Sequence, residues 1–368
     1  MIITSKRSRS RAFVAGVVVV GLALTACSSS AKTPVTEPTT PATDVPDTTS
    51  SMPTTEPATT STVAAGPTSP LTGVALVDPA TADRPALVVK IDNHPLARPQ
   101  SGLNEADIVF EENVEQLTRF AAVFQSQGSN PVGPIRSGRT QDIAVLGSFN
   151  RPLFAWSGGN RRVTDAIEGS DLRQLSAQQQ TVFYRAKDRQ APHDQYSNTD
   201  ALFALAPADA GPPQAQFTYR AAEAVPVGDD IAGVNLSMDG VKVRWLWDAT
   251  SGLFLRFNDG KVHLDAISKT QVSANNIVIL TVDYKPSPAD SHSPEAQTLG
   301  TGDAMVFSAG KVHPGMWSRS DRLSPFTVTD ASGTVIALTP GRTFVELARV
   351  GAAAAIPAGA NPNSVAFP

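Results

Sequence analysis

Cysteine is almost missing from this chain: Cys27 stands alone among 368 residues. No disulfide can form within one copy, so the fold must rest on its core and its backbone ladders. Net positive charge is missing too. The formal charge is -4, and an acidic protein binds nucleic acid poorly, because phosphate neutralisation dominates that affinity. No nucleic-acid partner is expected. Catalytic and cofactor signatures are also lacking. The chain has no His-Glu-x-x-His zinc motif and no Gly-x-Ser-x-Gly elbow. It has no P-loop and no dinucleotide fingerprint, so no cofactor is expected. Ser-x-x-Lys occurs at Ser29/Lys32 and at Ser308/Lys311. The first lies in low-complexity sequence and the second reads as a hairpin without a Lys-Thr-Gly partner, so both are chance matches. A Cys-nucleophile transpeptidase is excluded if Cys27 carries a lipid. His94 lies close to Asp92, but no third ligand sits at a recognisable spacing, so no metal is expected.

What is present begins at the N-terminus. Lys6, Arg7, Arg9 and Arg11 precede an uncharged apolar run, Ala12 to Ala23. That run is too short for a ~30 Å hydrocarbon core, which takes about 20 residues. Its length and flanks match a secretory signal ending at Leu24-Thr25-Ala26-Cys27. Residues 1–26 are therefore read as a lipoprotein signal peptide, and Cys27 as the acceptor of a diacylglycerol. The alternative is an uncleaved transmembrane anchor. A single leftover Cys in an exported protein needs an explanation, and lipidation supplies one. Two acyl chains, at about 0.8 kcal/mol per buried methylene, hold firmly where one would not. Losing four cations and no acid with the signal takes the formal charge from -4 to -8. The expected place is the extracytoplasmic face of the cell membrane, with the membrane a partner only through the lipid.

Residues 27–69 are dominated by Thr, Pro, Ser and Ala and hold no aromatic residue. Such a segment cannot bury enough surface to offset its ordering entropy, so it reads as a disordered tether. The folded part follows in two portions, 70–206 and 214–350, with a flexible tail at 351–368. In the first portion Ala86 to Ile91, Ile108-Val109-Phe110, Thr118 to Gln125 and Leu153 to Trp156 read as strands. Thr140 to Leu146 and Arg162 to Ile167 read as helices, and Ser197 to Asp200 as the N-terminal cap of another. The second portion reads as strands at near-regular spacing, with Asn258-Asp259-Gly260 as a hairpin turn. The expected fold class is α+β: a mixed α/β N-terminal domain followed by a mostly antiparallel β C-terminal domain.

A string of short motifs then comes into view: Lys90-Ile91-Asp92-Asn93, Arg98 to Gly102, Ala106 to Val109 with Glu111, Thr118-Arg119-Phe120, Val132 to Ser137 with Arg139, and Ala191-Pro192-His193. Together these resemble the YerB-like lipoproteins, a bacterial family of unassigned function. The likeness runs from about Leu71 to Leu347. It implies two domains and an exported lipoprotein, and it implies no reaction. The family often has Asn after the His; here Asp194 stands there.

Two readings of the charged residues stay open. Arg119, Arg136, Arg139 and the Ser157-Gly158-Gly159 loop could form an anion pocket, since Arg presents a planar fork and Gly lets backbone N–H groups approach. Alternatively these arginines pair with Asp107, Glu111, Glu112, Glu115 and Asp142 as structural ion pairs. His193, beside Asp194, could act as a general base, or make a structural hydrogen bond. Asp92 and Glu111, near the ends of adjacent strand candidates, could form a catalytic carboxylate pair, or begin a turn and pair with an Arg. The expected function is binding of an anionic cell-envelope ligand, a cell-wall polymer or an envelope protein. The alternative is an envelope hydrolase or transferase acting on a glycan or phosphodiester.

Overall fold

The computed structural model describes residues 66–221 and 223–368. Residues 1–26, read as a signal peptide, Cys27, and nearly all of 27–69, read as a tether, lie outside the described residues. No described helix is long and apolar enough to cross a membrane.

The apolar runs become strands, and the strands join one large sheet. Leu87–Asp92 and Ile108–Val114 both pair antiparallel with Leu117–Phe124, which lies between them. Leu153–Trp156 and then Arg173–Ser176 extend this sheet in parallel on one side. On the other side Thr343–Ala348 lies parallel to Ile108–Val114. Asn276–Thr281, Gly300–Ser308, Lys311–Arg319, Asp229–Met238, Val241–Asp248 and Leu253–Asn258 follow in that order. Strands from both halves of the sequence are thus hydrogen-bonded neighbours.

Successive side chains of a strand point to opposite faces, so each strand feeds two cores. Leu87, Val89, Ile91 and Phe120 pack with Trp245 and Phe344 on one face. Val88, Phe110, Ala121 and Val123 pack with Phe154, Trp156 and Val345 on the other. Burial on both faces explains why these segments read as unbroken apolar runs.

The expected α+β arrangement with a mixed α/β first domain does not form. The fold is mostly β, built on a mixed sheet of sixteen strands among the described residues. Its helices, Gln141–Val145, Arg161–Glu168 and Thr199–Phe203, have five, eight and five residues. Arg161–Glu168 buries only Val163 and Ile167. Helix-like segments do alternate with strands, as the sequence suggested, but each is one or two turns long. Elements that short cannot cover a sheet face, so other strands and loops cover it instead.

Two chain-end expectations also meet the structure. Packing begins before Pro70: Thr68 bridges Ala75, and Ser69 is buried. Within 351–368, read as a flexible tail, Ala353–Pro357 pairs antiparallel with Asp229–Met238 and buries Ile356 completely. The hairpin at Asp259-Gly260 has positive φ at both residues, 51° and 75°. A two-residue hairpin turn demands that pair.

Candidate functional site

Three strands bring the predicted site residues together. Arg119 lies opposite Asp92 on one neighbour and opposite Glu112 on the other. Cross-strand partners share a face, so Asp92, Arg119 and Glu112 form one charged row at the strand ends. Pro134–Arg136 runs beside the end of the Asp92 strand. The Asp92 N–H donates to Pro134 O, and the Arg136 N–H donates to Lys90 O. This contact places the Arg136 side chain over the row.

Asp92 is the hub. Its Oδ2 lies 2.7 Å from His193 Nδ1 and 3.1 Å from Arg136 Nε. Its Oδ1 accepts the His94 backbone N–H at 2.9 Å. The Arg136 contact is an ion pair without hydrogen-bond alignment, since that Nε makes no hydrogen bond. A carboxylate can only accept, so Asp92 orients the imidazole through Nδ1–H, and the neutral form of that imidazole has its lone pair on Nε2. Nε2 has no protein partner among the described residues. The His94 ring stacks on His193 with centroids 4.3 Å apart. Burial, and then the His193 ring beside it, push His94 below its usual pKa. Asp92 and His193 are 3% and 6% exposed, so an Asp-oriented imidazole sits in a largely dry setting.

The three arginines of the expected anion pocket differ in how they are held. Glu115 grips Arg139 through Nε and Nη2 at 2.7–3.0 Å, and Ser293 Oγ takes the same Nε at 2.9 Å. Arg136 has its single ion pair with Asp92. Arg119 is buried, with no acid paired to it among the described residues; Nη1 donates to Ser137 O at 2.8 Å. Burial, and then the charges of Arg139 and Arg136, push its pKa down to about 10. The Ser157–Gly159 loop joins this group through its backbone. Ser157 N donates to Arg136 O, and Gly158 O accepts from Gly138 N. Asn160, which follows, caps the Arg161–Glu168 helix.

Beneath the row lies Lys90, fully buried between Glu112 and Asp142. Burial pushes its pKa down to about 8, against the pull of Asp142. Asp142 also accepts the Arg139 backbone N–H at 2.7 Å. The ion-pair reading therefore holds for Arg139, with Glu115. The other acids named for it are engaged elsewhere: Glu112 and Asp142 with Lys90, and Asp107 with backbone N–H groups and Ser126. Asp194, beside His193, binds Arg185 and not the imidazole.

Glu111 is on the opposite face. It lies in register with Phe120 and Ile91, so it cannot share a substrate with Asp92. Arg256 and Thr118 bond it there. Around it Asn93 reaches Thr118, Gln100 reaches Asn93, and His263 joins Arg256 to Gln100. Trp245 donates to Glu346 at 2.8 Å beside them. Burial, and then Arg256, push His263 well below its usual pKa. Burial, and then Glu111, raise Glu346 well above its own.

This fold and these motifs have relatives. Residues 71–211 and 234–345 match the N-terminal and C-terminal domains of the family described as protein of unknown function (DUF3048). Over 290 residues the chain is 30% identical to a protein named putative lipoprotein YerB from Bacillus subtilis (strain 168), covering 76% of this chain and 85% of that one. The chain belongs to the YerB-like family. A crystal structure of the YerB protein from Bacillus subtilis shares the fold, with a TM-score of 0.68 at 24% identity over 78% of this chain and 99% of that one. The family motifs quoted from the sequence contain Asp92 and Arg119 of the charged row and the neighbouring Lys90, Arg136, Arg139 and His193. Sequence reasoning gave no site role to Lys90 or to the Arg256–His263 pair. The first was visible inside Lys90-Ile91-Asp92-Asn93. The second had no local signal, being 145 residues from Glu111.

Among the described residues, no three His, Cys, Asp or Glu side chains gather as a metal site.

Proposed function

We propose that the protein is exported, cleaved before Cys27 and lipidated there, and that its folded part binds an anionic ligand of the cell envelope at the Arg119–Arg136–His193 cluster. The relative's printed name supports the lipoprotein reading, as do the N-terminal cations, the short apolar run and the single Cys. One observation carries the binding reading: Arg119 is buried beside two more arginines with no ion pair among the described residues, and the acids acting on it, Glu115 and Asp92, already hold Arg139 and Arg136. A desolvated cation in that position is destabilising until an anion arrives. Arg136 adds a second guanidinium and His193 a polar edge. A carboxylate or phosphodiester would satisfy them by charge-assisted hydrogen bonds.

The test is thermal unfolding of the full chain carrying Cys27→Ala, which removes the lipid acceptor, against a panel of anionic envelope fragments. A fragment at 100 times its Kd adds about 2.7 kcal/mol, or several degrees for a domain of this size. The reading expects one fragment to stabilise the wild type and not an Arg119→Gln/Arg136→Ala variant. If no fragment shifts the wild type, anion binding at this cluster is wrong.

The Asp92–His193 pair favours a second reading, in which the bound ligand is hydrolysed or transferred. An imidazole held by a carboxylate through Nδ1, with Nε2 open, is the geometry of a general base. Turnover of whichever fragment binds, lost in His193→Gln with binding retained, would decide for it.

A further inference from the structure

A second cleft lies at the opposite ends of the same strands. Leu87 and Asp92 are five residues apart on one strand, so the two ends are separated by about 17 Å. Its volume is about 550 Å³. The segment Val74-Ala75-Leu76-Val77 lines it together with Arg84, Asp107, Ser126, Asn275 and Arg342. Gly341 carries φ 142°, and a Cβ there would meet Asn275 at 2.2 Å, so glycine is what lets the chain before Arg342 lie against Asn275.

The charges in this cleft are unequally engaged. Its acids are occupied: Asp107 accepts from the Gln125 and Ser126 N–H groups and from Ser126 Oγ, and Asp78 accepts from Ala80 N. Its arginines bond only neutral groups. Arg84 donates to the carbonyls of Gln125 and Gln127. Arg342 donates to Asn104 Oδ1 and Ser273 Oγ at 3.2 and 3.0 Å. Neither has an ion pair at salt-bridge distance among the described residues, and burial lowers the pKa of both. The lining is also apolar in part. Val77 is fully exposed and Val74 is 44% exposed, so open apolar surface stands among the cleft's charged residues. Ligand sites combine an apolar lining with a few convergent polar groups in this way.

We propose that this cleft is a second ligand site, distinct from the Arg119–His193 cluster, and that it takes an amphiphilic anion. A carboxylate or phosphate would meet Arg84 and Arg342, and an apolar body would lie along Val74–Val77.

The experiment is calorimetric titration of the full chain carrying Cys27→Ala, without detergent, with decanoate and decyl phosphate below their micelle concentrations. Inorganic phosphate and decanol serve as the headgroup-only and tail-only arms. The amphiphilic anions are expected to bind at least about tenfold more tightly than either arm, since a charged hydrogen bond is worth about that factor. Arg342→Gln should weaken them by about tenfold, as should Val77→Asp. Val77 is exposed, so its variant folds and keeps the test open if Arg342→Gln does not. Equal binding of decanol and decyl phosphate would overturn the anion half of the proposal, and equal binding of inorganic phosphate the apolar half. Loss of binding in Arg119→Gln, with Val77→Asp silent, would move the ligand to the other site and end the proposal.

Discussion

Two clusters of charge sit back to back on the same strands, and they are finished to different degrees. The Glu111 cluster is closed. Arg256, Thr118, Asn93, Gln100, His263 and Asn258 bond one another in a chain drawn from both halves of the sequence. Among the described residues, Arg256 Nε and one Glu346 oxygen are its buried atoms without a hydrogen bond. The Asp92 cluster is open. Among the described residues Arg119 has one carbonyl for a partner, Arg136 Nε is buried without a hydrogen bond, and His193 Nε2 has no hydrogen-bond partner. Buried polar groups are normally satisfied within the fold. The first network is bonded mostly to itself, whereas the second leaves Arg136 Nε and His193 Nε2 without a hydrogen-bond partner among the described residues.

The sharpest way to break this comparison is to damage the closed side. Arg256→Met leaves Glu111 buried without its cation. Removing one partner of a buried pair costs about 3–5 kcal/mol, and urea unfolding should report a loss of that order. A loss below about 1 kcal/mol would mean that this cluster does not hold the halves together.

Acid should separate two members of the same cluster. His263 has a folded pKa depressed below its unfolded value near 6.5. Its contribution to stability is present above that pH and is lost as pH falls through the window below it. Glu346 has a folded pKa raised above its model value of 4.5. In the folded state it keeps a proton that the unfolded chain has released, so its contribution grows as pH falls toward 4.5. Between about pH 4.5 and 6.5 the two slopes oppose each other, each at most about 1.4 kcal/mol per pH unit. Relative to wild type, His263→Gln should gain stability on acidification and Glu346→Gln should lose it. Parallel slopes for the two variants, from unfolding at pH 5 and 6, would show that the assigned protonation states are wrong.

The open side should respond in the reverse sense. Arg119→Gln removes a desolvated cation that makes no ion pair among the described residues, so its stability should stay within about 1 kcal/mol of wild type or rise. Affinity for the anionic fragment should fall about tenfold or more. A stability loss as large as that of Arg256→Met would make Arg119 another structural arginine.

How much of this the sequence held depends on distance along the chain. Asp92, Arg119, Arg136, Arg139 and His193 were legible as candidates because charged residues interrupt apolar strands or stand in turns beside them. Glu111 and Asp92 read as a pair because both stand near the ends of strand-like runs. Sequence does not say that Leu117–Phe124 inserts between those strands, nor that Glu111 and Asp92 then fall on opposite faces; a one-residue change of phase decides the face. The fold class failed for a related reason. A segment such as Arg162 to Ile167 shows its helical character locally, but its length against the sheet it must cover is a tertiary matter. The closed network was illegible because Arg256 and His263 find Glu111, Asn93 and Gln100 across the join of the two halves, where no spacing rule reaches.

The finest prediction separates a binding cluster from a reactive one. Asp92→Asn keeps the shape of the side chain but removes the charge that fixes the Nδ1–H tautomer of His193 and balances Arg136. His193→Gln removes the imidazole and leaves Asp92 with Arg136 and the His94 N–H. If the cluster only binds, an anionic ligand loses no favourable partner when Asp92 is neutralised, so Asp92→Asn should bind the fragment as well as wild type or better. His193→Gln should then cost no more than one hydrogen bond, about tenfold in affinity or less. If the cluster also reacts, both variants should retain affinity, and both should lose turnover by about 100-fold or more, since a positioned base contributes at least that factor. Measured together, Kd and turnover of the two variants therefore distinguish a base held by a carboxylate from a charge pair that shapes a pocket.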